Sequence, residues 1–178
     1  MKPADLRWLR VLWMGTLVAV SAGLTASLTC VAPFVALSVA AAATLPVRQA
    51  LLCTLAVWLA NQAVGFAVLS YPWTPSTLEW GLAIGLATVA ATLTAQWLLG
   101  RFDGARTPVR TVTAFAAAFA VYESLLAAVA VFLLGGAAAF APSIIAQVLG
   151  LNAATLAGLW GLGWLLSLGS STSPARLG

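Results

Sequence analysis

Charged residues are scarce in this chain, and histidine is absent. Among 178 residues there are 8 lysines and arginines and 4 aspartates and glutamates, so that charged residues make up 7% of the chain. There are 2 cysteines. A water-soluble domain carries about 25% charged residues. The composition therefore excludes an ordinary soluble domain, and the apolar runs that recur from end to end indicate a chain embedded in lipid.

The same shortages restrict the chemistry. Without histidine or a carboxylate cluster, the sequence has no ligand set for zinc, nickel or cobalt, so we expect no metal and no cofactor. It has no phosphate loop, nucleophile elbow or paired acids, so we expect no enzymatic activity. Cys30 and Cys53 lie at different depths and are expected to be packing residues, not a disulfide. The cations are scattered over short segments, which argues against a nucleic-acid partner.

Hydrophobic residues make up 62% of the chain in continuous runs, which predicts membrane-spanning helices and not the alternating strands of a barrel. Six segments are each near the length of about 20 residues that crossing a bilayer requires. They cover residues 9–26, 30–45, 47–70, 78–99, 109–134 and 142–168. The predicted fold is all-α, a single six-helix integral membrane domain covering residues 1–178.

The basic residues predict the orientation. With six helices, all of them fall on one side of the membrane: Lys2, Arg7, Arg10, Arg48, Arg101, Arg106, Arg110 and Arg176. The positive-inside rule then places both termini of this multi-pass protein in the cytoplasm. A cleaved signal peptide is the alternative for the N-terminus, but the apolar run continues past any plausible cleavage point.

Polar residues gather in residues 61–81, which read NQAVGFAVLSYPWTPSTLEWG. Counted at about 1.5 Å per helical residue, the amides at its start share the outer half of the bilayer with polar residues of the fifth and sixth helices. Polar groups inside a membrane are costly and usually functional, so we predict a ligand site. Its predicted residues are Asn61, Gln62, Tyr71, Trp73, Glu79, Glu123 and Asn152. Interhelical hydrogen bonding is the alternative for the amides, and proton coupling or a structural hydrogen bond is the alternative for Glu123.

Small residues form two patterns at helical spacing. The first helix carries a stripe of Gly15, Ala19, Ala22, Gly23 and Ala26, and the fourth helix carries a G-x-x-x-G motif at Gly81 and Gly85. Small residues let helix backbones approach closely. Packing within the chain is the expected use, and docking to a second membrane protein is the alternative.

On these residues the chain resembles the substrate-binding S components of energy-coupling-factor vitamin transporters. Ala22 and Ala26 match the alanine pattern of their first helix, and Asn61 through Tyr71-Pro72 to Trp80-Gly81 looks like the solitary cobalamin-type members of proteobacteria. The resemblance implies an outward-opening pocket for a vitamin-like small molecule, cobalamin or a related corrinoid. It also implies that Gly15, Ala19, Ala22 and Ala26 dock on a transmembrane coupling subunit that works with ATPases.

The loop after the third helix departs from those relatives. Cobalamin-type members hold cobalt through a cysteine in or near this loop, whereas residues 71–80 contain none. If Thr74 occupies that place, the ligand is a different corrinoid form or another vitamin. Two other functions stay open: a structural or assembly subunit of a larger membrane complex, and a stand-alone proton-coupled carrier centred on Glu123.

Overall fold

A computed structural model describes residues 3–28, 32–102 and 107–170, with side chains described for 8–27, 32–102 and 108–162. Within these ranges the chain is helical and contains no strand, which confirms the all-α prediction. The α-helices are α1 (Pro3–Leu28), α2 (Phe34–Thr44), α3 (Val47–Ala67), α4 (Pro75–Arg101), α5 (Thr107–Val129) and α6 (Pro142–Ser170). A π-helical turn, Ala130–Leu134, continues α5, and a 3-10 turn, Ala137–Phe140, precedes α6.

Among the described residues, five helices are long and apolar enough to cross a membrane: Trp8–Ser27, Val47–Ala67, Pro75–Arg101, Pro108–Leu134 and Pro142–Leu162. Large apolar side chains on their outer faces are exposed, among them Leu12, Leu59, Leu86 and Val112. An apolar outer surface on a helical bundle is what a lipid environment requires. The chain is therefore built as a multi-pass membrane protein.

The second helix differs from its prediction. We expected residues 30–45 to cross the bilayer, but α2 has 11 residues and is about 16 Å long, roughly half of the hydrocarbon thickness. Prolines account for its limits, because a proline disfavours helical geometry in the residue before it. Pro33 precedes the first helical residue, and Leu45, which precedes Pro46, is extended with φ −122° and ψ 149°. Cys30 lies outside the described residues.

Helix α2 is the axis of the bundle. Its residues from Phe34 to Ala42 are all buried, and it contacts each of the other five α-helices. Burial on all sides explains why its sequence is apolar all round instead of on one face. The other helices therefore use their inner faces to cover α2 and leave their outer faces to lipid.

Side-chain hydrogen bonds give the helix directions. Trp13 Nε1 donates to Thr44 Oγ1 at 2.9 Å, which pairs the start of α1 with the end of α2. Gln96 Nε2 donates to the carbonyl of Leu45 at 3.0 Å, which brings the end of α4 to the same level. This end of the bundle also holds the start of α3 with Arg48, and we call it the basic end. We call the other end, which holds the α3–α4 loop, the outer end.

The G-x-x-x-G motif packs α4 against α3. Trp58 and Gln62, one turn apart on α3, lie over Gly85 and Gly81, one turn apart on α4. A Cβ atom at Gly85 would lie 2.8 Å from the Trp58 ring, and one at Gly81 would lie 2.6 Å from Gln62 Oε1. Trp58 Nε1 also donates to the Gly81 carbonyl at 2.8 Å. These glycines are therefore used within the chain, as expected.

Gly85→Ala tests this packing. The added methyl group overlaps the Trp58 ring, so we expect the free energy of unfolding to fall by about 1–3 kcal/mol. Thermal unfolding in detergent micelles measures it. The control is Gly100→Ala in the same helix, where no atom lies within 4 Å of the new Cβ and the change should be neutral or stabilising. Equal effects of the two substitutions would contradict the packing.

Candidate functional site

A chain of hydrogen bonds joins α1 to α3 in the outer half of the bundle. Gln62 Nε2 donates to Asn61 Oδ1 at 3.3 Å, and Asn61 Nδ2 donates to Thr25 Oγ1 at 2.9 Å. Thr25 Oγ1 donates in turn to the carbonyl of Ser21 at 2.9 Å. We call Ser21, Thr25, Asn61 and Gln62 the polar ladder. The two predicted ligand residues in it therefore also hold α1 against α3.

Both amides keep part of their surface accessible. Asn61 and Gln62 are half-buried, whereas Ser21 and Thr25 are buried. An amide offers a carbonyl oxygen and two N–H groups, so one or two internal bonds do not exhaust it. The ladder is thus fixed in position and still offers hydrogen-bonding atoms.

The α3–α4 loop carries a stacked pair of aromatic rings. Phe66 and Trp73 stack with centroids 4.2 Å apart and planes inclined by 27°, and Tyr71 meets Phe66 edge-on at 6.2 Å. We call these three residues the aromatic platform. Trp73 is 76% exposed, so one broad face of its indole is uncovered.

The loop backbone holds this platform in place. Tyr71 donates its N–H to the Gly65 carbonyl at 3.0 Å, and a Cβ at Gly65 would lie 2.7 Å from the Tyr71 ring. Ser70 has a left-handed φ of 56°, which reverses the chain between them. Thr74 caps α4 by accepting from the Thr77 N–H at 3.3 Å. Glycine at position 65 is therefore needed so that the tyrosine ring can fold back over α3.

Three predicted residues belong to neither the ladder nor the platform: Glu79, Asn152 and Glu123. Glu79 is exposed and shares a helix face with the exposed Leu82 and Leu86, so it points away from the bundle axis. Asn152 is 1% exposed: its Oδ1 accepts from the Ala36 N–H at 3.0 Å, and its Nδ2 donates to the Val148 carbonyl at 2.9 Å. The first N–H groups of a helix lack partners within the helix. Asn152 therefore caps α2 from another helix.

The cap also fixes a depth. Asn152 follows Pro142, the first residue of α6, by ten positions, so α2 begins about 15 Å below the start of α6. The axial helix consequently does not reach the outer end. In the outer half, α1 and α3 carry the polar ladder, and the end of α3 with the α3–α4 loop carries the platform, at a level that α2 does not reach.

Glu123 lies on α5, at the level where α2 begins. Its neighbour Tyr122 packs against Phe34, the first residue of α2, with ring centroids 6.4 Å apart. Glu123 itself is half-buried. Within the described part of the chain its carboxyl group has no hydrogen-bond or ion-pair partner. The structure thus places Glu123 at the level where α2 begins, and no described residue holds its carboxyl group by a hydrogen bond or an ion pair.

The small-residue stripe of α1 faces outward. Gly15, Ala19 and Ala26 are exposed and Ala22 is half-buried, whereas the face toward the bundle consists of Leu17, Ser21 and Thr25. No atom lies within 4 Å of a Cβ built at Gly15 or Gly23. Gly81 and Gly85 pack against side chains of the same chain. The described residues do not use the α1 stripe in this way.

The sequence did not identify every residue of this region. Phe66 supports Trp73 and Thr25 receives the bond from Asn61, yet neither was among the predicted ligand residues. The stack depends on the chain reversal at Ser70, and the Thr25–Asn61 bond joins positions 36 residues apart. Neither leaves a local pattern, although the proline-bounded aromatic run indicated a rigid loop.

Comparisons with known protein families, with curated proteins and with solved structures found no match for this chain. Its own geometry therefore carries any assignment. The class that this geometry defines is an all-helical, multi-pass membrane protein with a short axial helix.

Asn152→Ala tests the cap. It leaves the Ala36 N–H without its partner in a buried setting, so we expect the free energy of unfolding to fall by about 1–3 kcal/mol. Thermal unfolding of the purified protein measures it. Gln147→Ala, an exposed amide on the same helix, should change stability by less than about 0.5 kcal/mol. Unchanged stability of Asn152→Ala would show that the side chain has another role.

Proposed function

We propose that this protein captures a vitamin-like small molecule at its outer end and is the substrate-binding subunit of an uptake system. The observation that carries the proposal is the aromatic platform, held rigidly beside the polar ladder where the axial helix stops. A flat exposed indole suits a ring-bearing ligand, and nearby amides suit its polar edge. Groups that are already ordered lose little entropy when a ligand binds.

The charges support capture from outside the cell. The six-helix prediction puts all basic residues of the sequence on one side of the membrane, and Arg10, Arg48, Arg101 and Arg110 belong to the helix segments at the basic end. The positive-inside rule assigns such an end to the cytoplasm. Both termini are then cytoplasmic, and the platform faces the outer side of a bacterial inner membrane. Asn61, Gln62, Tyr71 and Trp73 form the upper wall of the proposed site, and Glu123 contributes from α5 at the level where α2 begins.

The outward stripe on α1 supports a membrane partner. S components of energy-coupling-factor transporters, which this chain resembles, use such a face to meet a transmembrane coupling subunit. We assign the same use to Gly15, Ala19, Ala22 and Ala26, with ATPases of the complex as the energy source. A corrinoid is the favoured ligand, bound without a loop cysteine to hold its cobalt, because residues 71–80 contain none.

Ligand retention tests the capture function. The protein, purified from cells grown with mixed vitamins, should retain one of them, identified by mass spectrometry, and should be thermally stabilised by it. Trp73→Ala should weaken binding by about three- to tenfold through loss of stacking. Trp97→Ala, an exposed indole at the basic end, should leave binding unchanged. A protein that retains no vitamin and is stabilised by none would instead be a structural or assembly subunit.

Docking is tested by filling the α1 stripe. The double substitution Ala22→Leu and Ala26→Leu should abolish ligand uptake by cells while leaving ligand binding and thermal stability of the purified protein unchanged, because a close helix contact cannot form over the larger side chains. Ala63→Leu, an exposed alanine on α3, is the control and should transport normally. Normal uptake by the double variant would exclude this face as the docking surface.

A further inference from the structure

The two halves of the protein differ in charge. The sequence has no lysine or arginine between positions 49 and 100 or between positions 111 and 175. Glu79, in the first turns of α4, and Glu123, near the start of α2, are the two acids in those stretches. The outer half of the described structure therefore carries two carboxyl groups and no basic side chain.

The described helices that pack against α5 place no basic side chain near Glu123. Helices α2 and α6 contain no ionisable side chain over Phe34–Thr44 and Pro142–Ser170. The ionisable residues of α4 are Glu79 and Arg101, at opposite ends of that helix. On α5 itself, Arg110 lies 13 residues away, about 20 Å along the axis, and Tyr122 is the adjoining ionisable residue.

A carboxyl group inside a membrane with no positive charge beside it is stabilised either by taking up a proton or by binding a cation from outside the protein. A structural role would instead provide a donor from a neighbouring helix, as the Ala36 N–H does for Asn152 Oδ1. Glu123 has no such donor among the described residues. Glu123 lies on α5 at the level where α2 begins, because its neighbour Tyr122 packs against Phe34. A ligand that enters from the outer end and reaches this level would supply the positive charge.

We propose that the captured molecule is positively charged and that Glu123 binds its cationic group, so that the site discriminates against ligands with free carboxylates. The inference rests on the proposed function and adds the substrate class to it. Attraction between opposite charges strengthens as water is excluded, because the effective dielectric constant falls. An anion in the same place would pay the desolvation cost and would also be repelled by the Glu123 carboxylate. Charge thus decides between ring-bearing vitamins that the platform alone would accept equally.

Two sets of probes vary charge while keeping shape. Aquocobalamin, cyanocobalamin and a cyanocobalamin monocarboxylate present one corrinoid scaffold as a cation, a neutral molecule and an anion. Pyridoxamine, pyridoxine and 4-pyridoxate do the same for a small pyridine ring. Binding of each probe to the purified full-length protein is measured by microscale thermophoresis or by thermal stabilisation. For any scaffold that binds, the wild-type protein should prefer the cation over the neutral form and the neutral form over the anion.

Glu123→Gln removes the charge at nearly constant shape. It should weaken binding of the cationic member by about 10- to 100-fold, the loss expected for a hydrogen bond to a charged group, and change the neutral member by less than threefold. Glu123→Asp keeps the charge and should keep the order of preference. Glu79→Gln removes the exposed acid and should change each affinity by less than about threefold, because exposed charges are screened by water and salt.

The outcomes separate this inference from the proposed function. If a scaffold binds but its anionic member binds as tightly as the cationic one, the inference is wrong and vitamin capture stands. The same conclusion follows if Glu123→Gln binds the cation with unchanged affinity, which would indicate a carboxyl group that is neutral by protonation. If no vitamin binds the wild-type protein, the proposed function fails first. The ranking by the wild-type protein needs no substitution, so it decides the question even if Glu123→Gln does not fold.

Discussion

The structure depends on burying a half-length helix inside a lipid-embedded bundle. A backbone N–H at the start of such a helix finds no water, so a side chain must accept from it. The side-chain oxygen of Asn152 accepts from the Ala36 N–H, 116 residues earlier in the sequence, and its side-chain Nδ2 donates to the carbonyl of Val148 on α6. One asparagine thereby fixes α6 against α2 and sets the depth at which α2 begins. The arrangement of the outer half follows from that depth.

Because α2 stops short, the outer ends of the long helices cannot be held together through it. Direct contacts replace it: the polar ladder joins α1 to α3, and the two glycines of α4 receive side chains from α3. The α5–α6 connection reaches α4 in the same region, where a Cβ at Gly136 would lie 3.7 Å from the Trp80 ring. At this end, hydrogen bonds and close contacts at glycines hold the long helices together in place of the axial helix.

Apolar runs and the alternation of basic loops were sufficient to predict six helices, because lipid imposes length and polarity on each segment separately. The length of α2 was within reach as well, since Pro33 and Pro46 bound it. The hydrogen-bond partners of Asn61 and Asn152 could not be predicted, because each bond depends on residues that are brought together only by folding. Small-residue patterns show the same limit. Gly81 and Gly85 pack inward and Gly15 and Ala19 face outward, although both patterns permit close approach.

In side chains of the outer half such as Asn61 and Trp73, some atoms hold the fold together and others stay accessible to a ligand. Asn61 donates one N–H to Thr25, and its oxygen accepts from Gln62. These two bonds fix the amide and leave part of it accessible. Trp73 has one ring face against Phe66 and the other uncovered. Glu123 differs from both, since its carboxyl group takes part in no described contact that would hold the fold together. A group whose cost in lipid no described residue offsets is best explained by a partner from outside the chain.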